Sequence, residues 1–172
     1  AALEKKMAER GLELSAGEIY NADAPGSSVA DAVVSMEFGC TGSIISDQGL
    51  LITNHHCAYS DVHGLSTPEH NYLEDGFWAM TRAEELPNPG LTVSFLEYMK
   101  DVTDEVLDGY KPDMPEAKRI EIVAKNSKAI EEKAAKEGKS LRATVKPLYY
   151  GNQYYLYVFK VFTDVRLVGA PP

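Results

Sequence analysis

Apolar residues recur along the chain in two rhythms. At the amino terminus, "AALEKKMAERG" sets Leu3 and Met7 four apart among charged residues, which predicts a short surface helix over Ala1 to Arg10 closed by Gly11. From Val33 the rhythm shortens: "VVSMEFG", "TGSIIS" and "LLIT" are β-prone runs broken by Gly and Asp. The last two flank "SDQG" and predict a hairpin, Gly42 to Ile45 pairing with Leu50 to Thr53 around a turn at Ser46 to Gly49. The polar stretch from Ala58 to Asn71 reads as loop, and "NPGLTVSFLEYM" places another strand after Pro89 and Gly90.

Between Asp101 and Gly138 the composition turns helical. Asp113 can cap a helix with Met114 and Pro115 in its first turn, and Ile120, Val123, Ser127, Ile130 and Ala134 then recur at three and four spacing until Gly138. This amphipathic helix is expected as a packed insert. Two strand-like runs follow, "SLRATVKPLYY" and "YYLYVFKVFTDVRLVGA", joined at Gly151 and Asn152, which suit a tight turn. In the second run Tyr155, Tyr157, Phe159, Val161, Val165 and Leu167 share one face, with Lys160, Asp164 and Arg166 on the other, so the tyrosine face is expected to be buried. The pattern is mainly β with a helical insertion, the strands falling at roughly 27–100 and 141–170 and the insert at roughly 102–138.

Composition adds limits rather than a function. A chain of 172 residues, 44% hydrophobic and 25% charged, is an ordinary globular composition. The net charge of -9 argues against nucleic acid or an anionic membrane as the main partner, since both call for clustered Lys and Arg. No membrane-spanning run or signal peptide is present, and the chain reads as a trimmed piece of a longer product. There is no phosphate-binding glycine loop, and no cofactor is expected.

Candidate chemistry gathers in "LLITNHHCAYSD", Leu50 to Asp61. His55, His56, Cys57, His63 and His70 lie close together, but adjacent residues leaving a strand point to opposite faces and no CxxC or HExxH spacing is present, so a metal site is disfavoured. Cys40 precedes the first strand of the expected hairpin and Cys57 follows the second. With one bulge in the turn they become cross-strand neighbours at a separation that a disulfide accepts, and such a bridge would stabilise the fold by roughly 3 kcal/mol. The alternative is a pair of reduced, buried thiols. A histidine fixed beside a disulfide is suited to general-base work, because an imidazole with an ordinary pKa of about 6.5 takes a proton from a hydroxyl near neutral pH.

The string "GCTGSIISDQGLLITNHHC", Gly39 to Cys57, resembles the start of the bacterial dipeptidyl-peptidase family that includes dipeptidyl-peptidases seven and eleven, serine exopeptidases of the chymotrypsin clan. "SSVADAVV" before it, then "STPEHNYLEDGFWA", "EELPNPGLTVSFL" and "DVTDEV", resemble the family's successive segments in order. The likeness implies the N-terminal portion of a chymotrypsin-like double β-barrel with a helical domain inserted. His56 maps onto the catalytic histidine, Cys40 and Cys57 onto a flanking bridge, and His55 onto a structural neighbour on the opposite face. The family's aspartate stands in a Gly-Asp-Thr-Asp-Asn-Trp type motif and its serine in a Gly-Asn-Ser-Gly type motif, and neither occurs in these residues. Asp61 is not expected to replace the orienting aspartate, and neither Ser43 nor Ser46 has a nucleophile's surroundings. Two departures from the pattern, a single glycine in "MEFGC" and Ser43 where an acidic residue is common, leave the histidine untouched.

On this resemblance the chain is expected to act with the remainder of the same polypeptide on oligopeptide substrates, releasing dipeptides, and to be inactive alone. The family likeness also implies a homodimer and the periplasm or cell envelope of a Gram-negative bacterium. The rival expectation is a non-catalytic secreted β-barrel binding module, in which a His56→Ala change would leave function intact.

Overall fold

The short apolar runs after Val33 do pair as strands in a computed structural model of the chain, which describes residues 2–21, 27–36 and 39–172. In chain order the elements are α1 (Ala2–Ala8), α2 (Ala16–Ile19), β1 (Val33–Met36), β2 (Thr41–Ile44), β3 (Leu51–Thr53), α3 (His55–Leu65), β4 (Phe77–Trp78) and β5 (Leu86–Pro87). They continue with β6 (Val93–Asp101), α4 (Thr103–Val106), α5 (Glu116–Ala135), β7 (Leu141–Leu148), β8 (Gln153–Phe162), β9 (Arg166–Leu167) and β10 (Gly169–Ala170). Backbone contacts divide the chain into two units, Ala1–Ser94 with Phe162–Pro172, and Phe95–Val161. Ala1 of the expected first helix and Glu37 and Phe38 of "VVSMEFG" lie outside the described residues.

In the first unit the strands run β3-β2-β1-β6, all neighbours antiparallel. The expected hairpin is there, with Gly42 opposite Thr53 and Ile44 opposite Leu51, and Ile45 N–H donates to Leu50 O at 2.9 Å. Its turn is closed by the Ser46 hydroxyl, which accepts from the N–H of Gln48 and of Leu50. Strand alternation buries Val34 and Met36 and leaves Val33, Ile45 and Ile52 exposed. Gly42 is required by close approach, since a Cβ there would stand 2.9 Å from the Leu51 side chain. Two small pairings complete this unit, β4 with β10 and β5 with β9. At the first, the ring of Trp78 lies on Gly169 so closely that a Cβ would stand 2.7 Å from it.

The second unit has the order β6-β8-β7, with α5 packed against β7. Val102, Val106, Ala134, Tyr154, Leu156 and Val158 form its core, with Val123, Ile130, Leu141 and Val145 against them. Helix α5 is present but starts at Glu116 with Pro115 as its N-cap, so Asp113 does not cap it and Met114 and Pro115 are not in its first turn, and Ile120 is 61% exposed. Arg119 takes the inward place instead, its Nη2 donating to Gly151 O at 2.8 Å and its guanidinium lying over the Tyr110 ring.

The buried face of β8 is the reverse of the one the sequence pattern indicates. Tyr154, Leu156 and Val158 are at most 6% exposed, while Tyr155, Tyr157, Phe159 and Val161 are half-buried. The strand ends at Phe162, so Asp164 and Arg166 never share its alternation, and Lys160 alone marks a polar face. Both faces of β8 are apolar, and the packing of the α4 and α5 residues decides which one is covered. The β7–β8 connection is longer than the expected turn at Gly151 and Asn152: it runs from Tyr149 to Asn152, with Tyr149, Tyr150 and Gly151 all at positive φ.

Candidate active site around His56

The expected loop from Ala58 begins as helix α3, which starts at His55 directly after Asn54. Ala58, Val62 and Leu65 are spaced four and three apart, a helical signal obscured by the histidines, Ser60 and Gly64 between them. Val62 is 2% exposed and seats the helix. Because His55 and His56 stand in a helical turn rather than at a strand end, they are about 100° apart and both exposed, so His55 is not on an opposite strand face. His55 packs edge-on against Tyr59, one turn along, at 5.8 Å between ring centroids.

Cys40 and Cys57 are bonded as a disulfide with their Cα atoms 5.9 Å apart, so neither is a free thiol. The bridge joins the residue before β2 to the first turn of α3, not two strands. An imidazole nitrogen of His56 and the two sulfurs all lie within 4.8 Å of one another. Sulfurs bonded to each other offer no thiolate, so this cluster lacks the donor chemistry of a metal centre. His63 lines an open cavity of about 690 Å³ with His55, Tyr59 and Glu74, and His70 stacks on Tyr72.

No described carboxylate or hydroxyl is hydrogen-bonded to the His56 ring. Asp61 lies about 140° around α3 from it and accepts instead from Asn88 Nδ2 at 2.8 Å. Ser43 stands within β2, and the Ser46 hydroxyl is held in the turn. Among the described residues His56 is therefore an accessible imidazole on a pinned helix, with no carboxylate or hydroxyl hydrogen-bonded to it.

No helix among the described residues is long and apolar enough to cross a membrane. The family model "Peptidase S46" matches residues 1–172. The chain is 44% identical over 169 residues to the dipeptidyl-peptidase 7 of Capnocytophaga gingivalis, covering 98% of this chain and 23% of that protein. It is 43% identical over 173 residues to the Asp/Glu-specific dipeptidyl-peptidase of Porphyromonas gingivalis, covering 97% of this chain and 24% of the other. Among solved structures, that of Porphyromonas endodontalis DPP11 in complex with the dipeptide Arg-Glu superposes with a TM-score of 0.81 at 41% identity, over 98% of this chain and 25% of that one. The chain thus spans about a quarter of the length of these relatives. Likeness along nearly its whole length, in sequence and in a mainly β structure with helices, makes this chain a member of the peptidase S46 family.

Proposed function

We propose that this chain is the histidine-bearing part of a serine-type dipeptidyl aminopeptidase, with His56 as the general base. The observation that carries the proposal is the exposed His56 imidazole beside the Cys40–Cys57 bridge, in a family whose relatives are dipeptidyl-peptidases. In this reading His56 takes the proton of a serine supplied by the rest of the polypeptide, and the serine attacks the second peptide bond of an oligopeptide. His56 then protonates the leaving amine, and water repeats the cycle to free the dipeptide. The strands at roughly 27–100 and 141–170 are read as part of a chymotrypsin-like double barrel, and roughly 102–138 as its helical insertion. The whole enzyme is read as a homodimer in the Gram-negative periplasm or cell envelope, with no nucleic-acid or membrane partner.

The test uses the full-length polypeptide with a fluorophosphonate probe and dipeptidyl substrates ending in acidic or hydrophobic residues. The intact protein is expected to take one adduct and release dipeptides. His56→Ala is expected to lower kcat by about 10⁴-fold or more, and residues 1–172 alone to be inactive. An active His56→Ala protein, or dipeptide release by residues 1–172 alone, would refute the assignment of His56, and an intact protein that takes no adduct and releases no dipeptide would favour the binding-module reading.

A further inference from the structure

Helix α3 is tethered twice on one face. Cys57 and Asp61 are one turn apart, so they project from the same side, and each is tied to a different segment: Cys57 to Cys40, and Asp61 to Asn88. Asn88 is itself stiffly mounted. It stands between Pro87 and Pro89, whose rings fix their own φ and restrict the residue before them. Its backbone N–H donates to Val165 O at 3.0 Å, and the adjoining β5 pairs with β9. The Asn88 carboxamide thus presents a donor to α3 from a rigid corner that joins two distant stretches of sequence.

We propose that Asp61 and Asn88 form a positioning clamp for His56, an inference that rests on the general-base reading above. Buried Val62 seats the helix, but packing is non-directional, and a single fixed bond at Cys57 leaves a small rotation about that point. The second limits the swing from a point about 140° around the helix from His56, while the first holds the helix right beside that residue, whose ring stays exposed. A side chain carried about 5–6 Å from the helix axis moves about 1 Å for a rotation of about 10°. A misplacement of that size at a reacting group can lower a rate by about a hundredfold. Asp61 therefore acts through helix placement, as a hydrogen-bond acceptor, and not as the carboxylate that orients the imidazole.

Replacing the carboxylate while keeping the acceptor separates these roles. In the full-length enzyme, Asp61→Ala and Asn88→Ala are expected to lower kcat roughly tenfold to a hundredfold with KM unchanged. The double variant should be no worse than either single one, because both remove the same bond. Asp61→Asn still accepts from Asn88 and should restore kcat with an unaltered pH profile. Loss of about 10⁴-fold in Asp61→Asn would make Asp61 the orienting carboxylate and overturn the proposal. Wild-type kcat in both alanine variants, or a change confined to KM, would overturn it too. A wild-type protein that releases no dipeptides from oligopeptides, or one that His56→Ala leaves active, would instead sink the general-base reading.

Discussion

The unit formed by Phe95–Val161 and the unit that carries His56 are held together by different means. In the former, residues from β8, α4 and α5 and the residue before α4 meet in one apolar cluster that includes Val106 and Val158, both 0% exposed. In the latter, Val34, Met36, Val62, Val93 and Ala170 are buried, yet Ile45, Ile52, Trp78 and Met80 are exposed. Its histidine-bearing helix, seated by Val62, also carries a disulfide and the Asp61–Asn88 hydrogen bond. Packing is non-directional and proportional to area, whereas a covalent bridge and an aimed hydrogen bond fix particular atoms. On the proposed general-base role of His56, ties of the second kind sit where aim would matter most.

The contrast can be broken from either side. The largest stability effect is expected in the packed unit, where Leu156→Ala should cost about 2–5 kcal/mol in urea unfolding. A loss below 1 kcal/mol would show that the cluster is not what holds this unit.

Next comes the bridge, which spans a sequence separation of 17 residues. Replacing both cysteines by serine should cost about 3 kcal/mol, with the loss appearing in the transition of the His56 unit. An unchanged midpoint there would mean that the remaining contacts hold α3 unaided.

The smallest effect is expected from Asp101, whose carboxylate accepts from the Thr103 hydroxyl and then from the Thr103 N–H, holding its pKa below the ordinary value. A depressed carboxyl pKa contributes stability above the ordinary value and loses it as pH falls through the folded one. Asp101→Asn should therefore lower the melting temperature slightly at neutral pH, leave it nearly unaffected at acid pH where the wild-type carboxyl is already protonated, and so flatten the acid limb of the profile. An acid limb that keeps its slope in the variant would assign it to other groups.

These regions also differ in how legibly they are written in the sequence. The Gly42–Thr53 hairpin and α5 depend on neighbours within a few residues, through turn residues, a proline and helical spacing, and both were readable. Helix α3 was hidden because its apolar spacing is interrupted by polar residues and the bridge that steadies it reaches back to Cys40. The covered face of β8 was misassigned because both faces are apolar and a distant helix chooses between them. The Asp61–Asn88 bond joins residues 27 apart and leaves no local trace. The Cys40–Cys57 bridge is legible from positions flanking the hairpin and from family likeness, but not its seat in the first turn of a helix.

The flat seat of Trp78 on Gly169 makes it a built-in optical gauge. It is the single tryptophan of the chain, it belongs to the His56 unit, and it is 65% exposed. Its emission therefore follows that unit while remaining blind to the other, and a blue shift would register anything that comes to cover the ring, with no label added.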